Sequence, residues 1–135
     1  MRILGIDYGT KKLGFALSDE GLAIAFPKIV LPNDWPELKK FIGRFVADEG
    51  VSEIVIGLPV GLDGKETELS AEVRAFAQNL EKEFGLPVHF ENEAYSSAAV
   101  RTATGEMQPK NIDAASAAVI LQSFLDRRKD PEGNP

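Results

Sequence analysis

The chain has 135 residues, 44% of them hydrophobic, and a net charge of −6. That composition suits a single domain with its own core and excludes a strongly cationic nucleic-acid binder, so any hold on phosphate must come from local charge. Cysteine is absent and His89 is the sole histidine, which excludes disulfides, thiolate chemistry and a multi-histidine zinc site; a metal centre would rest mainly on carboxylates, the usual ligands of magnesium and manganese.

In chain order, three apolar segments come first, at about Arg2–Asp7, Lys12–Ser18 and Leu22–Leu31, parted by Gly9-Thr10 and Asp19-Glu20-Gly21. Connections this short predict an antiparallel meander, because parallel neighbours need a crossover of a dozen or more residues. Pro27 points to an edge position or an early end for the third strand. Asp34, followed by Pro36 and Glu37, marks a helix start; Leu38, Phe41, Ile42, Phe45 and Val46 supply its apolar stripe and Gly50 its end.

Glu53-Ile54-Val55-Ile56-Gly57 is β-branched and apolar throughout, as a buried central strand requires. The loop Leu58–Lys65 leads to a second helix with Val73, Phe76, Ala77, Leu80 and Phe84 on one face and Gly85 as its stop. Pro87–Glu91 predicts a fifth strand, Ser96 to about Ala103 a short helix, Gly105–Lys110 a polar loop, and Ile112–Arg128 a last helix with Ala118, Leu121 and Leu125 on one face. The expectation is one α/β domain over residues 1–129, a mixed sheet with helices on both faces, and a disordered tail at Asp130–Pro135. No run approaches the roughly 20 apolar residues of a membrane span and Met1-Arg2-Ile3 carries no signal-peptide pattern, so a cytoplasmic protein is expected.

Ligands of such sheets gather at the carboxyl ends of the parallel strands. Asp7 lies at the end of the first strand, Glu91 and Glu93 at or past that of the fifth, and Asp113 opens the last helix. A carboxylate at the end of a buried strand loses several kcal/mol of solvation unless something compensates it. Three such groups close together repel, and bound divalent cations resolve that repulsion. Two ions about 3.5–4 Å apart can activate a water and stabilise the leaving oxygen of a phosphodiester. Glu91 and Glu93 share one strand phase, so periodicity does not choose between them.

The run Gly5-Ile6-Asp7-Tyr8-Gly9-Thr10, continued by Gly14-Phe15-Ala16-Leu17-Ser18-Asp19, resembles the opening of the YqgF (RuvX-like) nucleases of the ribonuclease H-like superfamily. Ile56-Gly57-Leu58-Pro59 with Asp63-Gly64, and Ile112-Asp113-Ala114-Ala115-Ser116-Ala117-Ala118 followed by Ile120-Leu121-Gln122, extend the likeness over nearly the whole chain. The resemblance implies a five-stranded ribonuclease H-like fold and a site of Asp7, Glu93 and Asp113 holding Mg2+ or Mn2+, with two ions expected. It also implies structured nucleic acid as substrate: the 5′ end of pre-16S ribosomal RNA within a pre-ribosomal particle, or a Holliday junction, whose paired cuts would call for a homodimer. Thr10, Lys12, Ser96 and Ser97 are the expected strand-positioning residues.

The chain departs from the family pattern after the fifth strand, where Asn92-Glu93-Ala94 stands in place of Asp-Glu-Arg. Alanine cannot give a phosphate the bidentate contact of a guanidinium, so Arg101 is the candidate substitute. The loop before the last helix, usually basic in the family, offers only Lys110.

Plainer readings stand beside these. Asp7-Tyr8-Gly9 suits an ordinary turn, Asp113 an ordinary helix start, His89 a non-catalytic polar position, and Lys11-Lys12, Lys39-Lys40 with Arg44, and Arg127-Arg128-Lys129 solvated surface. Gly64-Lys65 does not complete a P-loop, since Pro59 and Glu66 occupy its required glycine and hydroxyl positions. The Asp7–Thr10 turn also resembles the first phosphate loop of actin-like kinases, which makes a nucleotide-binding module one alternative and an inactive ribosome-associated protein another.

Overall fold

The computed structural model describes residues 1–61, 63–94, 99–101, 107–109 and 112–129, with main chain only for 93, 94, 99–101, 107–109 and 129. Strands β1 (Arg2–Tyr8), β2 (Lys12–Ser18) and β3 (Ala25–Pro32) form the meander; α1 (Trp35–Glu49), β4 (Val51–Val60), α2 (Glu68–Phe84) and β5 (Val88–Ala94) follow as crossovers. The sheet order is β3-β2-β1-β4-β5, antiparallel across β1–β2–β3 and parallel across β1–β4–β5. Pro27 lies on edge strand β3, beside a register irregularity between Phe15 and Ala16.

Alternation divides the sheet's two faces. Leu4, Ile6, Leu13, Phe15, Ile54 and Ile56 pack against Leu38 and Ile42 of α1 and Val73, Phe76, Ala77 and Leu80 of α2, all from stripes legible in the sequence. The other face is smaller: Ile3, Ala16 and Val55 meet Ala117, Leu121 and Leu125 of the last helix, α3 (Ala114–Lys129). Because both faces are covered, Ile54, Val55 and Ile56 are all 0% exposed, as a central parallel strand requires. Helix ends follow their punctuation: Gly50 and Gly85 close α1 and α2 in the left-handed conformation (φ 68° and 66°), which glycine adopts without a Cβ clash. No helix among the described residues is long and apolar enough to cross a membrane.

One prediction fails. The short helix expected from Ser96 to about Ala103 is not formed at its described residues; Ala99–Arg101 is a strand, β6, paired antiparallel with Met107–Pro109, β7, inside the stretch expected to be a polar loop. The β-branched residues Val100, Thr102 and Thr104 disfavour a helix here and suit a strand. The tail Asp130–Pro135 lies outside the described residues.

Candidate functional site

Asp7 is placed by the alternation of β1. Leu4 and Ile6 face α1 and α2, while Ile3 and Gly5 face α3, so Asp7 continues the α3 face near the end of the strand. It is 2% exposed. Across the hairpin Asp7 pairs with Gly14, and Gly14 admits the start of α3: a Cβ there would lie 2.1 Å from the Asp113 carbonyl oxygen. Gly9 at the hairpin tip is likewise covered by Ile112, whose Cγ1 would meet an added Cβ at 2.8 Å. The start of α3 therefore crosses the hairpin at the position paired with Asp7, which brings the main chain of Asp113 to the end of β1 from 106 positions away in sequence. Asn33 steadies this hairpin, its Nδ2 donating to the Gly9 carbonyl at 2.9 Å.

Asp113 also does what the plainer reading assigns it. Its Oδ1 accepts the Ser116 amide at 2.8 Å, capping α3. The Ser116 hydrogen bonds hold its carboxyl below the ordinary value of 3.8, and the nearby Lys12 ammonium acts in the same direction. A lowered folded-state pKa stabilises the fold at pH values above the unfolded one, and that contribution disappears as pH falls through the folded value. Asp113→Ala is thus expected to lose about 1 kcal/mol at neutral pH, and Asp113→Asn, which keeps a capping oxygen, much less. Chemical denaturation from neutral pH to below pH 3.8 checks both, the gap between wild type and the alanine variant narrowing on acidification.

Of the two candidates on β5, the structure describes the side chain of Glu91 alone. Glu91 is 7% exposed and already engaged: Ser123 Oγ donates to its Oε2 at 2.7 Å and Arg127 Nη2 donates to its Oε1. Glu93, two residues on, is in register with Pro59 of β4, and its side chain lies outside the described residues. Among the described residues no three acidic or histidine side chains form a metal-ligand group.

The remaining candidates scatter. Lys12 is exposed at the start of β2, within electrostatic reach of Asp113. Thr10 lines an open groove with Thr67, Glu68, Leu69 and Glu72 at the start of α2. Arg101 is on β6 opposite Met107, not on a helix, and its side chain is outside the described residues, as are Ser96, Ser97 and Lys110 altogether. His89 binds Glu53, with 2.9 Å from Nε2 to Oε1, and stacks on Phe124. Arg127 and Arg128 are not merely solvated: they pair with Glu91 and Glu53. Burial alone would raise the Glu53 carboxyl, but the hydrogen bonds from Arg128 and His89 outweigh it and leave its pKa lowered.

The donors fit a hard divalent cation. Asp7 is a buried carboxylate beside the Asp113 cap, the chain has no thiolate, and its histidine is committed to Glu53. Oxygen donors of this kind suit magnesium or manganese, not zinc.

Comparison with known proteins agrees with this architecture. The profile of a family described as "RuvX: Holliday junction resolvase" matches residues 1–127. A protein of Maridesulfovibrio salexigens named "Putative pre-16S rRNA nuclease" is 37% identical over 134 residues, covering 94% of this chain and 99% of its own length. One of the same name from Anaplasma marginale is 39% identical over 139 residues, covering 95% and 86%. Among solved structures, Thermus thermophilus RuvC superposes with a TM-score of 0.58 over 96% of each chain at 13% identity, a likeness of fold.

Proposed function

The chain belongs to the RuvX family, and on that premise we propose that it is a divalent-metal-dependent nuclease that trims the 5′ end of pre-16S ribosomal RNA. The observation that carries the metal site is the packing of the Asp113 main chain onto Gly14, directly across the hairpin from buried Asp7. Asp7, Asp113 and Glu93 hold the cations. Magnesium or manganese held there would stabilise the charge on the leaving oxygen and would lower the pKa of a water so that its deprotonated form attacks phosphorus at neutral pH.

The chain's own residues do the rest. Asp7 sits on a buried strand with little freedom to move, which fixes one corner of the site. Asp113 accepts the Ser116 amide through Oδ1, which fixes its carboxylate at the start of the helix. Lys12, exposed next to Asp113, draws a phosphate toward the site and lowers the repulsion between the incoming strand and the carboxylates. Thr10, Ser96, Ser97, Arg101 and Lys110 are the proposed contacts along the strand.

A precursor RNA is favoured over a DNA junction because the two relatives named above bear the RNA-processing name, over nearly the full chain. The test is one panel with manganese or magnesium: pre-16S RNA and a four-way DNA junction side by side, each with wild type and Asp113→Asn. The expected result is cleavage near the RNA 5′ end by wild type alone and an intact junction. Symmetric cutting of the junction with intact RNA would overturn the substrate assignment, and equal cutting by the variant would overturn the site.

A further inference from the structure

Among the described residues two carboxylates are buried, Asp7 and Glu91, and the proposed chemistry uses only the first. Glu91 pairs with Arg127, but the pair is half-exposed, since the Arg127 side chain is 63% exposed, and such pairs generally add little to the stability of a fold. Its partners suggest a different purpose. Ser123 and Arg127 lie one turn apart on the same face of α3 and both donate to Glu91, one to each oxygen.

Among the described strands β5 is at the edge of the sheet and pairs with β4 alone. The apolar cluster under α3 draws on β1, β2 and β4, with Ile3, Ala16 and Val55, and among the described residues includes none of β5. Among the described side chains, Glu91 with Ser123 and Arg127 joins β5 to α3, aided by the stacking of His89 on Phe124. Glu93 is two residues from Glu91, about 6.6 Å along the strand. Asp113 caps the helix that supplies Ser123 and Arg127. The tie thus lies between the strand carrying one site carboxylate and the helix carrying another.

We propose that Glu91 is a positioning residue: its bonds to Ser123 and Arg127 set the separation of β5 and α3, and with it the affinity of the Asp7, Glu93 and Asp113 site for a divalent cation. The proposal rests on the metal-site reading above. Groups bonded directly to a metal ligand typically change metal affinity by about 10-fold to 100-fold when lost; Glu91 acts one step further out, through the strand and the helix that carry the ligands, so the expected effect is at the lower end of that range.

The test is manganese binding to the intact chain without nucleic acid, read from the electron paramagnetic resonance of free Mn2+, with thermal melting followed in parallel. Glu91→Gln and Arg127→Met are each expected to weaken manganese binding about tenfold, and the double variant to be no weaker than either, since both break one link. Glu91→Leu should melt within about 4 °C of wild type and still show the tenfold loss, which a purely structural role would not produce. Unchanged manganese affinity in Glu91→Gln, or a loss that tracks melting temperature across the three single variants, overturns the proposal. Asp7→Asn separates the two ideas: if it binds manganese like wild type, the metal-site reading falls and takes this proposal with it, whereas weak binding by Asp7→Asn with wild-type binding by Glu91→Gln overturns the positioning role alone.

Discussion

Asp7→Asn is expected to remove nearly all cleavage of precursor RNA, on the order of a thousandfold, which corresponds to about 4 kcal/mol of lost transition-state stabilisation. Asparagine keeps the shape of the side chain and deletes the charge proposed to hold the cation. The fold should persist, because asparagine fits the same space at this 2% exposed position. Initial rates in saturating manganese, with melting curves on the same preparations, test both halves. Wild-type rates in the variant would refute the assignment, and a large drop in melting temperature would mean that the charge serves the fold instead.

The second large effect requires no change to any proposed ligand. Gly14→Ala places a methyl group 2.1 Å from the Asp113 carbonyl oxygen and 2.6 Å from its carbonyl carbon, a clash with main chain and not with the end of a yielding side chain. Overpacking of this kind costs about 3 kcal/mol, the upper part of its usual range. Relief comes only if the start of α3 lifts from the hairpin, and that motion separates Asp113 from Asp7. Both urea stability and cleavage are therefore expected to fall. Since glycine contributes no side chain to chemistry, lost cleavage in a still-folded alanine variant reports the placement of Asp113. Retained cleavage with lost stability would show that the two carboxylates need not be held so closely.

The sheet was legible because its determinants are local. Gly9-Thr10 forces the hairpin, Ile54-Val55-Ile56 can only be a doubly buried strand, and the stripes from Leu38 and Val73 have helical spacing. The segment after β5 was not, because the helical pattern from Ser96 is local whereas the strand Ala99–Arg101 depends on its antiparallel partner Met107–Pro109. The site was half legible. Asp7 stands out as a charge at the end of an apolar run, but nothing local to Gly14 says that residue 113 will lie on it; that contact joins opposite ends of the chain. Glu91 and Glu93 have the same phase and the same chemistry, and only the long-range partners of Glu91, Ser123 and Arg127, distinguish them. The same pairing explains why the basic run ending α3, which reads as solvated surface, is engaged with the sheet.

The placement of α3 has a further consequence for how the protein comes into being. Chains emerge from synthesis amino end first, at about 5–20 residues per second. The strand bearing Asp7 and its hairpin partner emerge at the outset, whereas the helix capped by Asp113 is the last described element. Until that helix docks, Ile3, Ala16 and Val55 have no cover and Asp7 has no Asp113 beside it. On the proposed site a nascent chain is therefore expected to be silent however well its meander has formed, since the docking step that shields the exposed sheet face is the same step that brings Asp113 to the hairpin.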